Sequence, residues 1–151
     1  MIHWQKTRFV YIISGGRRHV KIGHSVDVKK RLKSLQTGCP FTLRIMNQWA
    51  TVRAQEIEQK AHSILAKYRW AGEWFDVPTQ VASLTVGMLV AANPSRGAAD
   101  QPMKKAILFC RACRHTGTMP FIPDIEARFR CSKCNSRDHV HVIDFMVNLL
   151  D

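Results

Sequence analysis

The chain has 151 residues, of which 46% are hydrophobic, enough for the core of one ordinary domain or two small ones. This hydrophobic content excludes an intrinsically disordered chain. Twenty-three Lys and Arg against eleven Asp and Glu give a net charge of +12, which favours a polyanionic partner, most often nucleic acid. Because residues 1–92 carry +9 of this charge and residues 103–151 only +3, we expect most phosphate contacts from the N-terminal part.

Strand patterns occupy the first part of the chain. Residues 8–13 are β-branched and aromatic, the turn residues 14–16 follow, and residues 19–23 alternate at period two, which together predict a β-hairpin. Residues 41–50 carry spaced apolar side chains and predict a third strand. We therefore predict a small three-stranded antiparallel sheet.

Three helices are predicted around this sheet. Ser25 or Asp27 can cap the first, which ends near residue 36. The second covers about residues 52–69, and a third follows a cap at Asp76 or Thr79. The second helix has a core-facing stripe at helical spacing, made of Ile57, Ala61, Ile64, Leu65 and Tyr68. The third has a face made of Val81, Leu84, Met88 and Leu89.

A stretch rich in Pro, Gly, Ser and Ala, residues 93–104, is typical of a linker. It separates an N-terminal domain, residues 1–92, from a C-terminal module, residues 105–151. Short strands are predicted in that module at residues 107–109, 128–130 and 140–145. The expected fold class is therefore α+β, with a three-stranded sheet flanked by helices and a small second module.

The second module contains two CxxC pairs, separated by seventeen residues: Cys110, Cys113, Cys131 and Cys134. This spacing predicts a four-cysteine zinc site in a zinc ribbon, and so small a module needs the metal to fold. Four thiolates leave no open coordination position, so the zinc is expected to be structural. Three histidines could substitute as ligands: His115, His139 and His141.

The ribbon has two candidate roles. It could bind nucleic acid through four basic residues: Arg111, Arg114, Arg130 and Lys133. It could instead contact a protein partner.

The cysteine usage also bears on the compartment. CxxC pairs favour metal over a secreted disulfide framework, nothing resembles a signal peptide, and the apolar stretch 81–92 is too short to span a bilayer. We therefore expect a cytoplasmic protein with no membrane partner and no small-molecule cofactor. The fifth cysteine, Cys39, is interpreted as a small buried or turn thiol.

Residues 9–75 contain a series of short motifs. In chain order these are Phe9-Val10-Tyr11, Lys21-Ile22-Gly23 with Ser25, Arg31-Leu32, residues 35–40 (LQTGCP), Glu58-x-x-x-His62 and residues 72–75 (GEWF). Taken together, their order and spacing resemble the GIY-YIG endonuclease superfamily, and most closely its phage-type branch with a KIG second motif and a GEWF segment. The resemblance implies a three-stranded antiparallel sheet flanked by helices, and one-metal hydrolysis of a nucleic-acid phosphodiester.

The resemblance also implies roles for individual residues. Arg31 would hold the scissile phosphate of a DNA substrate and stabilise the charge that develops in the transition state. Glu58 would ligate one divalent ion, Mg²⁺ or Mn²⁺, whose oxygen preference a carboxylate satisfies. Tyr11 would orient or deprotonate the attacking water. Further phosphate contacts are expected near the first helix, from Gly23, Ser25, Lys29, Lys30 and Lys33.

Two positions depart from the family pattern. Lys21 replaces the second tyrosine, and a lysine acts as a base only with a lowered pKa, so it could merely bind phosphate. Glu73 lies where the family has its late asparagine. His62 is four residues after Glu58 on the same helical face and could share the site.

Three functions are compatible with these observations. The first is a metal-dependent endonuclease whose zinc ribbon aids docking on DNA. The second is a non-catalytic nucleic-acid-binding protein on the same scaffold, which Lys21 favours. The third is a protein-interaction adaptor, in which the ribbon binds a partner and the basic charge is incidental. Considered singly, Tyr11 could also be a core tyrosine, and Glu58 with His62 a modest surface pair.

Overall fold

The computed structural model describes residues 7–16, 18–93, 104–120, 131, 133–135 and 140–146. Up to residue 93 these residues form one antiparallel sheet of five strands, in the order β3-β1-β2-β5-β4. Its strands are β1 (Arg8–Gly15), β2 (His19–Ser25), β3 (Leu43–Thr51), β4 (Arg69–Ala71) and β5 (Trp74–Asp76). Its helices are α1 (Val28–Thr37), α2 (Ala54–Ile64) and α3 (Thr79–Ala92).

The predicted α+β class is confirmed, but the sheet is larger than predicted. The GEWF segment forms the turn and most of the second strand of another short hairpin, in which β4 and β5 turn at Gly72 with φ +53°. Because β5 pairs with residues 19–21 of β2, this hairpin extends the sheet from three strands to five. The predicted second helix is accordingly too long: it ends at Ile64, and a 3₁₀ turn (Ala66–Tyr68) leads into β4.

Alternation along the central hairpin separates two packed faces. Even-numbered side chains of β1 and β2, including Val10, Ile12 and Ile22, lie in the larger core cluster with α2 and α3. Tyr11 and Ile13 face the other way, into a smaller cluster that includes Val28 of α1. The sheet is therefore covered by α2 and α3 on one side and by α1 on the other.

The helix starts follow simple capping chemistry in one case and not in the other. Of the two predicted caps of α1, Asp27 is the one observed, because its Oδ1 accepts a hydrogen bond of 2.9 Å from the Lys30 backbone N–H. α3 begins after Pro78 without a side-chain cap, and Asp76 lies on β5 instead. The fully buried positions of α3 include Val81 and Leu89, as predicted, whereas Leu84 and Met88 are only half-buried.

None of the described helices has the length and apolar character needed to cross a membrane.

The C-terminal module forms a second antiparallel sheet in the order β7-β6-β8. Its strands are β6 (Lys104–Cys110), β7 (Thr116–Pro120) and β8 (Val140–Met146). The strands predicted at residues 107–109 and 140–145 are confirmed and are longer than predicted, whereas β7 was not predicted. The strand predicted at residues 128–130 and most of the predicted linker lie outside the described residues.

Strand β6 joins this module to the N-terminal core. Ile107 and Phe109 are fully buried members of the larger core cluster. The Phe109 ring packs edge-on against Tyr68, with ring centroids 5.1 Å apart. Burial of two large apolar side chains contributes several kcal/mol, so the two parts share one core rather than touching only at their surfaces.

We therefore expect Phe109→Ala to destabilise the N-terminal part as well as the second module. All four tryptophans lie within residues 1–92, so tryptophan fluorescence during urea unfolding reports on that part alone. The variant should lower the free energy of unfolding seen by this signal by about 3 kcal/mol, because an aromatic ring leaves the core. An unchanged fluorescence midpoint would show that β6 does not stabilise the first sheet.

Candidate active site and cysteine centre

Tyr11 and Gly23 face each other across the β1–β2 pair. The tyrosine side chain occupies the space that a residue with a side chain at position 23 would need. A Cβ at Gly23 would lie 2.4 Å from the Tyr11 hydroxyl oxygen and 2.6 Å from Cζ. Gly23 is therefore needed for a close approach of the Tyr11 ring.

The Tyr11 hydroxyl meets the guanidinium of Arg31, which extends from α1. Burial raises the Tyr11 pKa, although the hydrogen bond and positive charge of Arg31 act in the opposite direction. The hydrogen bond to Tyr11 raises the Arg31 pKa in turn. At neutral pH the pair is therefore a protonated tyrosine and an exposed arginine cation.

Glu58 of α2 is 7% exposed and lies between two histidines. One carboxylate oxygen, Oε2, accepts a hydrogen bond from Nδ1 of His24, and the other is 3.9 Å from Nε2 of His62. His24 Nε2 lies 3.3 Å from the guanidinium of Arg8, which can only donate, so Nδ1 carries the proton that points at Glu58. His62 donates through Nε2 to the Ile22 carbonyl over 2.9 Å.

Lys21 and Glu73 form a second pair on the Tyr11 side of the sheet. The buried ammonium of Lys21 donates to Oε2 of Glu73 and lies 5.9 Å from the centre of the Trp74 ring. Burial alone would raise the Glu73 pKa, but the hydrogen bond and charge of Lys21 lower it, with smaller electrostatic contributions from His62 and Arg31. Glu73 is therefore a carboxylate at neutral pH.

These pairs form one charged cluster at the edge of β2. Both Glu58 and Glu73 act electrostatically on Tyr11 and on Arg31, although the residues come from opposite faces of the sheet. β5 pairs with β2 only as far as Lys21, and the Glu73 carbonyl accepts from the Ile22 N–H at 3.2 Å, so the strand pairing ends beside the cluster. The cluster combines an exposed cation suited to a phosphate with a recessed carboxylate suited to a divalent ion.

Other predicted phosphate-binding residues lie around the start of α1. The Ser25 hydroxyl is engaged with the Asp27 backbone at 3.0 and 3.1 Å, so it shapes the turn before the helix. Three lysines are exposed on the helix: Lys29, Lys30 and Lys33. Phosphate contact by these residues stays a prediction.

The four predicted cysteine ligands converge on one point. All four Sγ atoms lie within 4.8 Å of one another, with Cys110 and Cys134 separated by 3.6 Å and Cys113 and Cys131 by 3.4 Å. Tetrahedral Zn²⁺ with bonds of about 2.3 Å places its sulfurs about 3.8 Å apart. The described residues therefore contain a site that could hold a metal such as zinc.

The two CxxC turns have the same backbone geometry. The residue after each pair, Arg114 or Asn135, has a positive φ of 61° or 57°. In each turn that residue's N–H donates over 2.8 Å to the carbonyl of the first cysteine. Backbone N–H donation from Cys134 is the main cause that lowers the Cys131 pKa to about 6, which favours the thiolate form that metals bind. The shared geometry makes the turns a matched pair of ligand loops.

Three arginines surround Asp76 at the junction of the two modules. Arg111 lies 3.2 Å, Arg18 3.3 Å and Arg114 3.4 Å from its carboxylate. Arg114 also donates to the Arg18 carbonyl at 3.1 Å. Burial opposes but does not outweigh the arginine contacts, which lower the Asp76 pKa. Arg111 and Arg114, predicted to contact nucleic acid, thus also hold the first CxxC turn against β5.

The remaining ribbon predictions have different outcomes. Lys133 is exposed on the second CxxC turn. His115 is exposed and is not part of the cysteine group. Arg130, His139 and the side chain of His141 lie outside the described residues.

The N-terminal part of the chain matches the model of a known domain family. The model of the T5orf172 domain matches residues 8–90, more than half of the chain. The chain belongs to the T5orf172 domain family. This family is associated with nuclease-type proteins, so the domain indicates a nuclease or nucleic-acid-binding role. Comparison with curated proteins gave no match, and comparison with solved structures gave none.

The matched T5orf172 region contains every residue of the charged cluster, including His24, which the sequence interpretation missed. The sequence signal that could have identified His24 is its position directly after the KIG segment. There it lies at the end of a strand that a helix carrying Glu58 and His62 could cover. Without the fold, a histidine at a strand end gives no sign of which carboxylate it meets.

The close approach of the Tyr11 ring to Gly23 can be tested directly by substitution of the glycine. We expect Gly23→Ala to lower the free energy of unfolding by about 1–3 kcal/mol, because the new methyl group overpacks the buried ring. It should also displace the Tyr11 hydroxyl from Arg31. Gly38→Ala is the matched control, since no atom lies within 4 Å of a Cβ there and φ is −101°. Equal stability of the two variants in urea would contradict the close approach.

The cysteine geometry predicts one zinc ion per chain. Cys134→Ser should abolish stoichiometric zinc binding, because the remaining three thiolates no longer complete the tetrahedron. Cys39→Ser, which removes the half-buried cysteine outside the group, should leave the zinc content unchanged. Elemental analysis of the purified proteins measures both values, and full zinc content in Cys134→Ser would contradict the assigned site.

Proposed function

We propose that the chain is a metal-dependent endonuclease that hydrolyses phosphodiester bonds of DNA with a GIY-YIG-type site. The observation that supports this most is the placement of Tyr11, Arg31 and Glu58 around the Gly23–His24 end of β2: Tyr11 is opposite Gly23 and bonds to Arg31, and Glu58 accepts from His24. The three residues come from β1, α1 and α2. An arrangement that served only the core would not need an exposed arginine beside a recessed carboxylate and a buried tyrosine hydroxyl.

Arg31 is the proposed phosphate ligand. Its guanidinium is exposed, and its hydrogen-bond partner is the neutral hydroxyl of Tyr11 rather than a carboxylate. Its charge is therefore directed toward an anion, and its planar fork suits the oxygens of a phosphate as negative charge increases during hydrolysis. Exposed lysines on the same helix extend this electrostatic attraction along the DNA strand.

Glu58 is the proposed ligand of Mg²⁺ or Mn²⁺. Its carboxylate is recessed and held by His24, so its oxygens face the cluster in a defined orientation. Such an ion, when bound, polarises the phosphate and stabilises the leaving oxygen. His24 and His62 act as positioning residues, because one donates to Glu58 and the other is fixed beside it by the Ile22 carbonyl.

Tyr11 and Lys21 have less direct roles in this proposal. Because burial keeps the Tyr11 hydroxyl protonated and Arg31 donates to its oxygen, the hydroxyl proton is available to orient water at the phosphate. The Lys21 ammonium donates to Glu73, so it holds that carboxylate in place rather than removing a proton. In the family to which we compare this site, a second tyrosine stands at the position of Lys21.

We further propose that residues 105–151 form a zinc ribbon with a structural Zn²⁺ that aids docking on DNA. Four cysteine ligands close the coordination sphere, so this metal takes no part in hydrolysis. Residues 1–92 would then be the nuclease domain and residues 93–104 the linker. The candidate DNA contacts on the described part of the ribbon are the exposed Lys133 together with Arg111 and Arg114.

A second function, DNA binding without cleavage, is favoured by one observation. Lys21 replaces the family's second tyrosine, and its ammonium is committed to Glu73. A site that binds phosphate through Arg31 but lacks a group to activate water would have this arrangement. It would bind DNA with strong salt dependence and leave it intact.

Plasmid nicking with Mg²⁺ separates the two functions. We expect nicking by the wild type and a loss of about 100-fold or more in Glu58→Gln, because the carboxylate needed by the divalent ion is removed. Glu56→Gln is the matched control: it lies on the same helix, is exposed and pairs with Arg53 instead. It should nick at the wild-type rate.

Two results would reject parts of the proposal. Nicking by Glu58→Gln at the rate of Glu56→Gln would exclude Glu58 as the metal ligand. Salt-sensitive DNA binding by the wild type, with no nicking in either Mg²⁺ or Mn²⁺, would establish the non-catalytic function instead.

A further inference from the structure

A cavity of ≈ 570 Å³ opens beside the charged cluster. One wall is the C-terminal end of α1 with the loop after it, and the opposite wall is the β4–β5 hairpin. Its volume falls in the range of pockets that hold small organic ligands. None of the roles proposed above uses it.

Aromatic rings dominate the walls of this cavity. Trp70 and Phe41 are each 63% exposed, and such exposure of large aromatic rings often marks a binding surface. The His19 ring stacks on Trp70, with centroids 4.1 Å apart and an angle of 18° between the planes. The stack fixes the orientation of the indole while most of its surface stays accessible. A preformed flat apolar surface of this kind suits a planar aromatic ligand.

Two walls of the cavity lie next to residues of the charged cluster. Trp74 forms part of its wall, and the ring lies 5.9 Å from the Lys21 ammonium of the cluster. On the other side, Ser34 and Leu35 line the cavity one helical turn after Arg31, so they share a face of α1 with it. A ligand bound through Arg31 could therefore place a neighbouring group in the cavity.

The distribution of charge identifies the chemistry of that ligand. No Asp, Glu, Lys or Arg lines the cavity within the described part of the chain, whereas α1 beside it carries Lys29, Lys30, Arg31 and Lys33. An uncharged aromatic pocket on the Arg31 face of a lysine-rich helix matches a nucleotide, which joins an uncharged planar base to an anionic phosphate. An apolar side chain of a protein would explain the rings but not the cations.

We propose that this cavity binds one unpaired base of the DNA strand whose phosphate lies on Arg31. Trp70 stacks on the base, and Phe41 closes the opposite rim. The site would therefore select strands in which a base is already unpaired or can leave its stack at low cost. The inference rests on the proposed DNA substrate, but it concerns recognition of the strand rather than hydrolysis.

Binding to single-stranded DNA with and without bases tests this assignment. The Glu58→Gln variant is used so that the DNA is not cleaved during the measurement. Fluorescence anisotropy then compares its affinity for a short labelled strand with its affinity for an abasic strand that has the same number of phosphates. We expect tighter binding of the strand with bases. Adding Trp70→Ala should weaken that binding about tenfold, since stacking on an aromatic residue contributes on this scale. Affinity for the abasic strand should not change.

Met46→Ala is the matched control, because Met46 is also an exposed apolar residue, at 44%, and does not line the cavity. It should bind both strands as the parent protein does, while Phe41→Ala should weaken binding of the strand with bases. Equal affinity of the parent protein for the two strands would overturn the proposal. So would an unchanged preference in Trp70→Ala, because the bases would then bind outside this cavity.

The outcome is independent of the test for hydrolysis. Preference for bases that depends on Trp70, in a protein that never nicks plasmid, would support the pocket and reject the nuclease. Nicking by the wild type with no such preference would support the nuclease and reject the pocket.

Discussion

The approach of the Tyr11 ring to Gly23 is the contact on which the candidate site depends. The two residues are opposite each other in β1 and β2, and any side chain at position 23 would collide with the tyrosine. Because glycine has no side chain, the Tyr11 ring can occupy this space, and its buried hydroxyl can accept a hydrogen bond from Arg31. The start of α1 is set by the Asp27 cap and by burial of Val28 in the same cluster as Tyr11. One glycine thus couples strand pairing to the position of the proposed phosphate ligand.

The rest of the site depends on how its charges are paired. Glu58 accepts from His24 and Glu73 from Lys21, so each carboxylate has a fixed partner at an otherwise unfavourable, partly buried position. Arg31 bonds instead to a neutral hydroxyl. This difference leaves the arginine as the group most suited to a ligand anion. His24 and Lys21 therefore hold the cluster together, whereas Arg31 is the residue proposed to bind the substrate.

The second module is attached by packing as well as by charge. Phe109 and Ile107 of β6 enter the larger core, and the arginines of the first CxxC region surround Asp76 of β5. β5 is also the strand that ends beside Lys21 and carries Trp74 of the aromatic cavity. The cysteine centre therefore lies on the same continuous framework as the charged cluster, through one short strand.

Local sequence patterns were sufficient for the α+β class, the first hairpin and the cysteine cluster, and they limited the cap of α1 to Ser25 or Asp27, because each depends on residues close together or on a fixed spacing. The β4–β5 hairpin was missed because its three-residue strands are stabilised only by pairing with β2. His24, the Lys21–Glu73 pair and the aromatic cavity were decided by tertiary structure alone. They join residues distant in sequence, and only the arrangement of the sheet determines which buried charge meets which partner.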